Sequence, residues 1–246
     1  MQQLLLVYKH LNLHFFANNG DTRSHGVTAL VPVGAVTVAA AHYTTTVASG
    51  GAIAGVTTND ISALGAIGTF GAVNAQAWYA VGNDDFSDVT ATNVQASGKV
   101  GALNIAANYS NIDLGDDSDN GMMKLVVSGK AGKIGYVAAV AQTEADSGMV
   151  SLDGDDDAKA DLAMYNNAMS GIADATGIVV GASMPVGPVK VSLKHLMVSN
   201  DDIDATETDI KVAYKMSKNF SGYVRYGVDG GDSDQEASRI EVKYTF

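Results

Sequence analysis

Polar side chains, three of them charged, recur at every second position of the terminal segment RIEVKYTF, residues 239–246, and apolar side chains stand between them. Successive side chains of a β-strand face opposite sides of its sheet, so one face of this strand is charged and the other is apolar. The same alternation earlier in the chain predicts a common charged face. Its members are Lys190, Lys194, Lys211, Lys215, Arg225, Arg239, Glu241 and Lys243.

These eight charges would be costly inside a packed core, where each needs a partner. In a water-filled lumen they would cost little, and they would line the conduit and set its electric field. We therefore predict that they line a pore. The plainer alternative, that they only keep the wall solvated, stays open.

The acidic run DGDDD, residues 153–157, places Asp153, Asp155 and Asp157 at the spacing of a calcium loop. An EF-hand also requires Gly at its sixth position and Glu at its twelfth, where this chain has Ala158 and Met164. The sequence therefore argues against an EF-hand. No cofactor is expected, and two interpretations of the acidic run stay open: a loosely bound calcium and a solvated acidic surface. Three further carboxylates are candidates for the same ion: Asp116, Asp117 and Asp119.

The composition argues against several other functions. No Cys is present, which excludes disulfides and thiolate metal sites, and the net charge of −12 disfavours a nucleic-acid partner. Catalysis by a His would require a Ser or Asp beside it on a neighbouring strand, and no G-x-S-x-G motif is present. We therefore predict that the protein is not an enzyme. The histidines are His10, His14, His25, His42 and His195.

Six stretches of the chain share a hairpin pattern, in which two strand-like runs flank a tight turn of small or polar residues. Longer connections rich in Asp, Asn, Ser and Gly separate these hairpins, and no apolar run reaches the length of a spanning helix. The pattern predicts strands of about 10 residues, as in tilted membrane-spanning strands. They are 9–17, 25–32, 35–46, 61–70, 72–81, 89–99, 101–111, 121–130, 133–143, 177–186, 188–198, 206–217, 220–229 and 236–246.

Tight turns at one end of a sheet and long polar loops at the other are typical of outer-membrane barrels. Aromatic residues are expected near the strand ends, as girdles at the membrane interfaces. We predict an all-β fold: one transmembrane antiparallel up-and-down β-barrel of about 14 strands over residues 1–246. The 144–177 segment is its long extracellular or inserted loop. The girdle candidates are Tyr43, Tyr79, Tyr109 and Tyr226 at the loop rim, and Phe70, Phe220, Tyr244 and Phe246 at the turn rim.

Residues 9–43 resemble an internal region of the major outer membrane porins of the Campylobacter group, through LNL at 11–13 and AVTVAAA at 35–41. Residues 209–246 resemble the C-terminus of that family. The resemblance implies a trimeric diffusion porin with an eighteen-stranded barrel. About four N-terminal strands of the family and its signal peptide have no counterpart here. A fragment of a larger porin and a shorter, self-closing barrel are therefore both open.

The resemblance also implies a loop that folds into the lumen and narrows it. The candidate is ANNGDTRSHG, with Asp21, Arg23 and His25 facing the constriction. Opposed charges across such a gap would sort solutes by size and polarity. The 144–177 segment is the rival for this inserted loop.

We predict an outer-membrane porin, a water-filled channel for passive diffusion of small hydrophilic solutes and ions, whose acidic mouth favours cations. Its partners would be outer-membrane lipid, lipopolysaccharide and two further copies of the chain, and its location the bacterial outer membrane. Two alternatives stay open. One is a barrel that serves mainly as a surface adhesin or antigen, and the other is an extracellular β-protein that binds calcium through its loops.

Overall fold

The computed structural model of the chain describes residues 5–11, 23–47, 59–83, 89–115, 120–146, 148, 162, 164, 167–232 and 234–245. Fourteen β-strands make up the regular structure of these ranges. No helix in them is long and apolar enough to cross a membrane. The strands are β1 (Leu5–Leu11), β2 (Arg23–Val33), β3 (Val36–Val47), β4 (Asn59–Phe70), β5 (Val73–Gly82), β6 (Thr90–Val100), β7 (Leu103–Asp113), β8 (Gly121–Ala131), β9 (Ile134–Thr143), β10 (Thr176–Val186), β11 (Val189–Ser199), β12 (Asp204–Lys215), β13 (Phe220–Gly231) and β14 (Glu236–Tyr244).

Each strand pairs antiparallel with the next, so the fourteen strands form one sheet in chain order. The predicted all-β, antiparallel up-and-down fold is confirmed. Within the described ranges β1 and β14 each have one strand neighbour, and the sheet therefore has two edges. Closure of the last strand against the first, which we expected of a complete barrel, is not among these pairings.

Tight glycine turns join the strands at one end of the sheet. Five of the six turns there have two residues, of which the first is a Gly with φ between 58° and 63°. A Gly with positive φ followed by a second residue is typical of a type II′ turn, whose twist matches that of the flanking strands. These glycines are Gly34, Gly71, Gly101, Gly132 and Gly187. We call this end the turn end and the opposite end, with the long connections, the loop end.

Thirteen of the predicted strands lie within two residues of the observed ones. The first prediction, 9–17, is wrong in its start: β1 spans Leu5–Leu11, and its register with β2 runs from Leu5 opposite Leu30 to Leu11 opposite Ser24. The run LLLV lacks polar–apolar alternation, and its strand character is therefore not visible in the pattern. The rest of that prediction, residues 12–17, lies outside the described residues.

The two faces of the sheet differ in what they expose. On the face that we call the inner face, buried side chains include Ala39, Trp78 and Leu196. On the opposite, outer face, large apolar side chains are exposed on β2–β6 and on β8–β14, with Leu64 at 63% and Ile240 at 77%. An exposed apolar surface of this extent is abnormal for a protein in water and normal for one in lipid.

Every Lys and Arg of β4–β14 lies on the inner face, as strand alternation and cross-strand register require. The carboxylates of the outer face lie toward the loop ends of their strands. The middle of the outer face on these strands therefore carries no cation. The ten inner-face cations are Lys99, Lys124, Lys130, Lys190, Lys194, Lys211, Lys215, Arg225, Arg239 and Lys243.

The predicted aromatic girdles are present in part. Phe220 and Tyr244 lie near the turn end with ring centroids 6.4 Å apart, and Tyr79 and Tyr226 are exposed on the outer face toward the loop end. The prediction that Tyr43 belongs to the girdle is wrong. Tyr43 lies on the inner face and is only 1% exposed, and its hydroxyl hydrogen-bonds to Thr28. Its ring occupies the space beside Gly26, where a Cβ would not fit.

The turn glycines offer a direct test of the hairpin geometry. A Cβ at Gly101 would meet no atom within 4 Å, so Gly101→Val introduces no close contact at the Cβ. Its main effect is on the backbone, because φ is +61° at this position. We expect it to lower the free energy of unfolding by about 1–2 kcal/mol, the cost of a left-handed conformation for a residue with a Cβ. Urea unfolding in detergent, followed by circular dichroism, measures this. Ala102→Val in the same turn is the control, and equal losses from both would contradict the assignment.

Candidate functional site

The inner face is the candidate functional surface because the polar and charged side chains of the strands concentrate there. Three regions can be distinguished along it. A run of amide side chains covers β5–β7, a set of charged side chains covers β11–β14, and an apolar patch lies between them. We call the first two the amide panel and the charged panel.

The amide panel is a chain of hydrogen bonds that crosses three strands. Gln76 Nε2 donates to Gln95 Oε1 at 2.7 Å, and Gln95 Nε2 donates to Asn93 Oδ1 at 2.8 Å. Asn93 Nδ2 then donates to Ser110 Oγ at 2.6 Å, and this hydroxyl lies 3.3 Å from Asn108 Oδ1. Asn93 and Ser110 are buried, and such bonds compensate the desolvation of their polar atoms. The five side chains of this hydrogen-bond chain are therefore polar but carry no formal charge.

The charged panel is arranged in rows, because the residues opposite one another in β11–β14 are fixed by register. Near the turn end, Lys215 and Lys243 flank Ser221. Two rows further toward the loop end, Lys211, Arg225 and Arg239 stand side by side. The next row pairs Lys194 with Asp209, and the row beyond it pairs Glu207 with Asp229.

Short contacts hold several of these charges in place. Arg225 forms an ion pair with Asp209, whose side chain is 5% exposed. Arg239 Nη2 donates to Glu241 Oε2 at 2.8 Å, and the Tyr223 hydroxyl donates to the same oxygen at 2.9 Å. Charge-assisted hydrogen bonds of this kind are stronger than neutral ones and fix the direction of the side chains.

The same network reaches Lys211, whose Nζ lies 3.6 Å from the centroid of the Tyr223 ring, a cation–π contact. A recess of about 420 Å³ opens beside it at the turn end. Four lysines are among the residues that line this recess: Lys190, Lys211, Lys215 and Lys243.

The long connection between β9 and β10 contributes to the inner face. Leu162 and Met169 are buried against inner-face side chains of β8–β11, in the apolar patch. The backbone N–H of Asn167 donates to Glu207 Oε2 at 2.9 Å, and Glu207 is fully buried. A buried carboxylate needs such donors. The patch comprises Met122, Ala139, Ala141, Leu162, Met169, Ala175, Val179, Leu196 and Val198.

Gly177 explains how this connection fits against the sheet. A Cβ on Gly177 would overlap Met169 Sδ and press on Leu162. The absent side chain is therefore what allows Met169 to seat on β10. The described part of the β9–β10 connection, one of the two segments considered for an inserted loop, therefore lies on the inner face. Most of the other candidate, ANNGDTRSHG, lies outside the described residues.

The eight side chains predicted to line a pore all lie on the inner face, in the charged panel. Their role in a pore stays a prediction. The constriction predicted at Asp21, Arg23 and His25 also stays a prediction. Arg23 and His25 belong to strand β2, at the end where its pairing with β3 is irregular. Asp21 lies outside the described residues.

The predicted calcium ligands Asp153, Asp155 and Asp157 also lie outside the described residues, as do Asp116, Asp117 and Asp119. Within the ranges described, no three His, Asp or Glu side chains are grouped closely enough to hold a metal ion. The calcium site stays a prediction.

Sequence reasoning missed three inner-face cations, Lys99, Lys124 and Lys130, as well as the amide panel. The signal was present: Asn93, Gln95, Ser97 and Lys99 occupy every second position of β6. It was weak because small residues, rather than large apolar ones, occupy several of the alternate positions.

One histidine does have a Ser and an Asp beside it on the next strand. His42 Nδ1 lies 3.1 Å from Ser62 Oγ, and His42 Nε2 lies 3.6 Å from Asp60 Oδ2, on the outer face near the loop end. His42 pairs in the sheet with Val27 and Ser62, and Ser62 pairs with His42 and Val81. Their backbone N–H groups are therefore placed for sheet bonding, not for the convergent donors that acyl transfer requires. We interpret the group as a hydrogen-bonded cluster at the rim.

Comparisons with known proteins find matches among solved structures only. No family model matches the sequence. No curated protein matches it either.

Outer-membrane porins are among the solved structures that match. Pseudomonas aeruginosa OccK3 (OpdO) superimposes with a TM-score of 0.71 at 15% identity, over 96% of this chain and 74% of that chain. P. aeruginosa OpdL superimposes with a TM-score of 0.71 at 13% identity, over 99% of this chain and 77% of that chain. A porin refined at 1.8 Å superimposes with a TM-score of 0.57 at 14% identity, over 94% of this chain and 90% of that chain. At such identities the likeness shows the fold, and the resemblance to the Campylobacter group stays a prediction.

The packing of the β9–β10 connection against the inner face can be tested by a substitution at Gly177. We expect Gly177→Ala to displace Met169 and to raise the rate of limited proteolysis within residues 144–175 about tenfold, since overpacking costs about 1–3 kcal/mol. The control is Gly135→Ala on the inner face of β9, where the Cβ would meet only the Ser183 side chain closely, at 3.1 Å. Unchanged proteolysis in Gly177→Ala would show that the contact does not hold the connection.

Proposed function

We propose that the protein is a porin of the bacterial outer membrane, in which the sheet curves around a water-filled channel for passive diffusion of small hydrophilic solutes and ions. One observation carries the proposal. All ten cations of β4–β14 lie on the inner face, while large apolar side chains are exposed on the outer face. A soluble sheet protein would reverse this arrangement and bury its apolar face.

The likeness to porin structures supports the same proposal, because those sheets have the fold that this one has. In a closed barrel, strands seven apart in a meander lie on roughly opposite walls. The amide panel and the charged panel would then face each other across the lumen. The described part of the β9–β10 connection would narrow the space between them.

Passage through such a channel needs no bond to be made or broken, and we propose a function without catalysis and without a required cofactor. Its partners would be outer-membrane lipid and lipopolysaccharide, together with two further copies of the chain in a trimer. A preference for cations rests on the acidic connections at the loop end. The cationic inner wall acts against it.

A barrel that serves mainly as an adhesin or antigen is the second candidate. The packing of Leu162 and Met169 on the inner face favours it, because a connection that fills the lumen would stop conduction. The two functions differ in whether current flows.

Membrane placement can be tested with two neighbouring positions of β11. Leu193 is on the outer face and 51% exposed, while Ser192 is on the inner face. We expect Leu193→Arg to impair folding into lipid bilayers by about 2–4 kcal/mol, the cost of Arg on the lipid face near the midplane. Ser192→Arg should be tolerated. Folding into lipid vesicles is measured by the heat-dependent mobility shift on gels. Equal folding of the two variants would contradict the placement of Leu193 on the lipid face.

Channel function can be tested by adding the purified protein to planar bilayers. We expect stepwise conductance increments, since each inserted channel adds a water-filled path. Folded protein that inserts without conductance would favour the adhesin, and Gly177→Ala would then show whether releasing the connection opens a path. Folding in water without detergent would refute both membrane functions.

A further inference from the structure

We propose that the channel wall is bipolar along its axis, cationic toward the turn end and anionic toward the loop end, and that the protein therefore rectifies ionic current. This inference rests on the channel function proposed above. It concerns the position of charges along the wall, which net charge alone does not reveal.

The cations of the inner face gather toward the turn end. Five of the ten lie between the Lys194–Asp209 row and the turn end of β12–β14, and three more lie within one residue of the turn end of their strand. Glu241 is the one carboxylate of the charged panel in the same region. The eight cations are Lys99, Lys130, Lys190, Lys211, Lys215, Arg225, Arg239 and Lys243.

The carboxylates gather toward the loop end. Glu207 and Asp229 face each other in the row beyond Lys194–Asp209, and both side chains are buried, so contact with mobile ions falls to the exposed carboxylates of the long connections. Lys124 is the single inner-face cation of β4–β14 at a comparable height. The described parts of the long connections add further carboxylates beyond the strand ends, among them Asp146, Asp174, Asp201, Asp202, Asp232 and Asp234.

The change of sign occurs within a short distance and is fixed by register. The row of Lys211, Arg225 and Arg239 is cationic, the next inner-face row pairs Lys194 with Asp209, and the row after that holds two carboxylates. Inner-face rows are two residues apart, which is about 7 Å along a strand. The sign therefore reverses over about 13–14 Å, which is comparable to the screening length of about 10 Å at 0.1 M salt.

A lumen with this profile fills unevenly with mobile ions. Cations accumulate at the loop end and anions at the turn end, because a confined wall charge attracts its counter-ions. A potential that is positive on the loop side drives both populations toward the middle and raises the number of carriers. The opposite potential draws both away and depletes the middle. Current should therefore be larger when the loop side is positive.

The experiment measures current–voltage curves of the full chain in planar bilayers at about 0.1 M and about 1 M KCl. We expect current about twofold larger with the loop side positive at the lower salt, and near symmetry at about 1 M, where the screening length is about 3 Å. The chain contains no Cys. A single Ala102→Cys in the β6–β7 turn therefore identifies the turn side, through block by a bulky thiol reagent added to one compartment.

A matched pair of double variants separates wall charge from general charge. Lys190→Gln with Lys243→Gln removes two exposed inner-face cations near the turn end, and should bring the current ratio close to one. Lys133→Gln with Lys218→Gln removes two exposed cations from turns at the same end and should leave the ratio unchanged. Lys190→Glu with Lys243→Glu should reduce the ratio further than the Gln pair does.

The outcomes are distinguishable. A symmetric current at about 0.1 M KCl, a larger current with the turn side positive, or an equal loss in both Gln pairs would overturn the bipolar wall and leave the porin function standing. Absence of conductance from folded, inserted protein would overturn both.

Discussion

A slip of one residue in a single strand pairing would carry that strand's charged side chains onto the apolar face, because side chains alternate with a period of two. The sheet avoids this across thirteen successive pairings, and the described irregularity lies at Arg23 and Ser24, at the margin of β2. Two-residue glycine turns support the register, since they fix which residues stand opposite each other at the start of each hairpin. The separation of an ionic face from an apolar face follows from this register.

The positions of the strands could be predicted because their signals are local. Alternation and turn glycines are properties of adjacent residues, and they located thirteen strands closely. The error at β1 arose where alternation is absent, in the run LLLV. Tyr43 was assigned to a rim because its place in the sequence is near a strand end. The Tyr43 ring lies on the inner face in the space beside Gly26, and this space is formed by a neighbouring strand.

The candidate site could be predicted only in outline. The eight charged residues of β11–β14 share a face for the same local reason that the strands were found. By contrast, the contact of Asn167 with Glu207 joins residues forty positions apart, and the seat of Met169 depends on a missing side chain at Gly177. Neither appears in a repeating pattern. The sequence left two segments as candidates for an inserted loop, and packing shows that the described part of the β9–β10 connection lies against the inner face.

The amide panel has a consequence for how long a solute would stay beside it. Gln76, Gln95, Asn93 and Ser110 direct hydrogen bonds to one another, which uses part of the capacity that each would otherwise offer to a passing molecule. A hydroxylated solute would exchange bonds with water more readily than with this wall, since displacing an existing side-chain bond returns little free energy. Residence times along the amide panel would then be short, and transit past it would be governed by friction in the confined water instead of by binding.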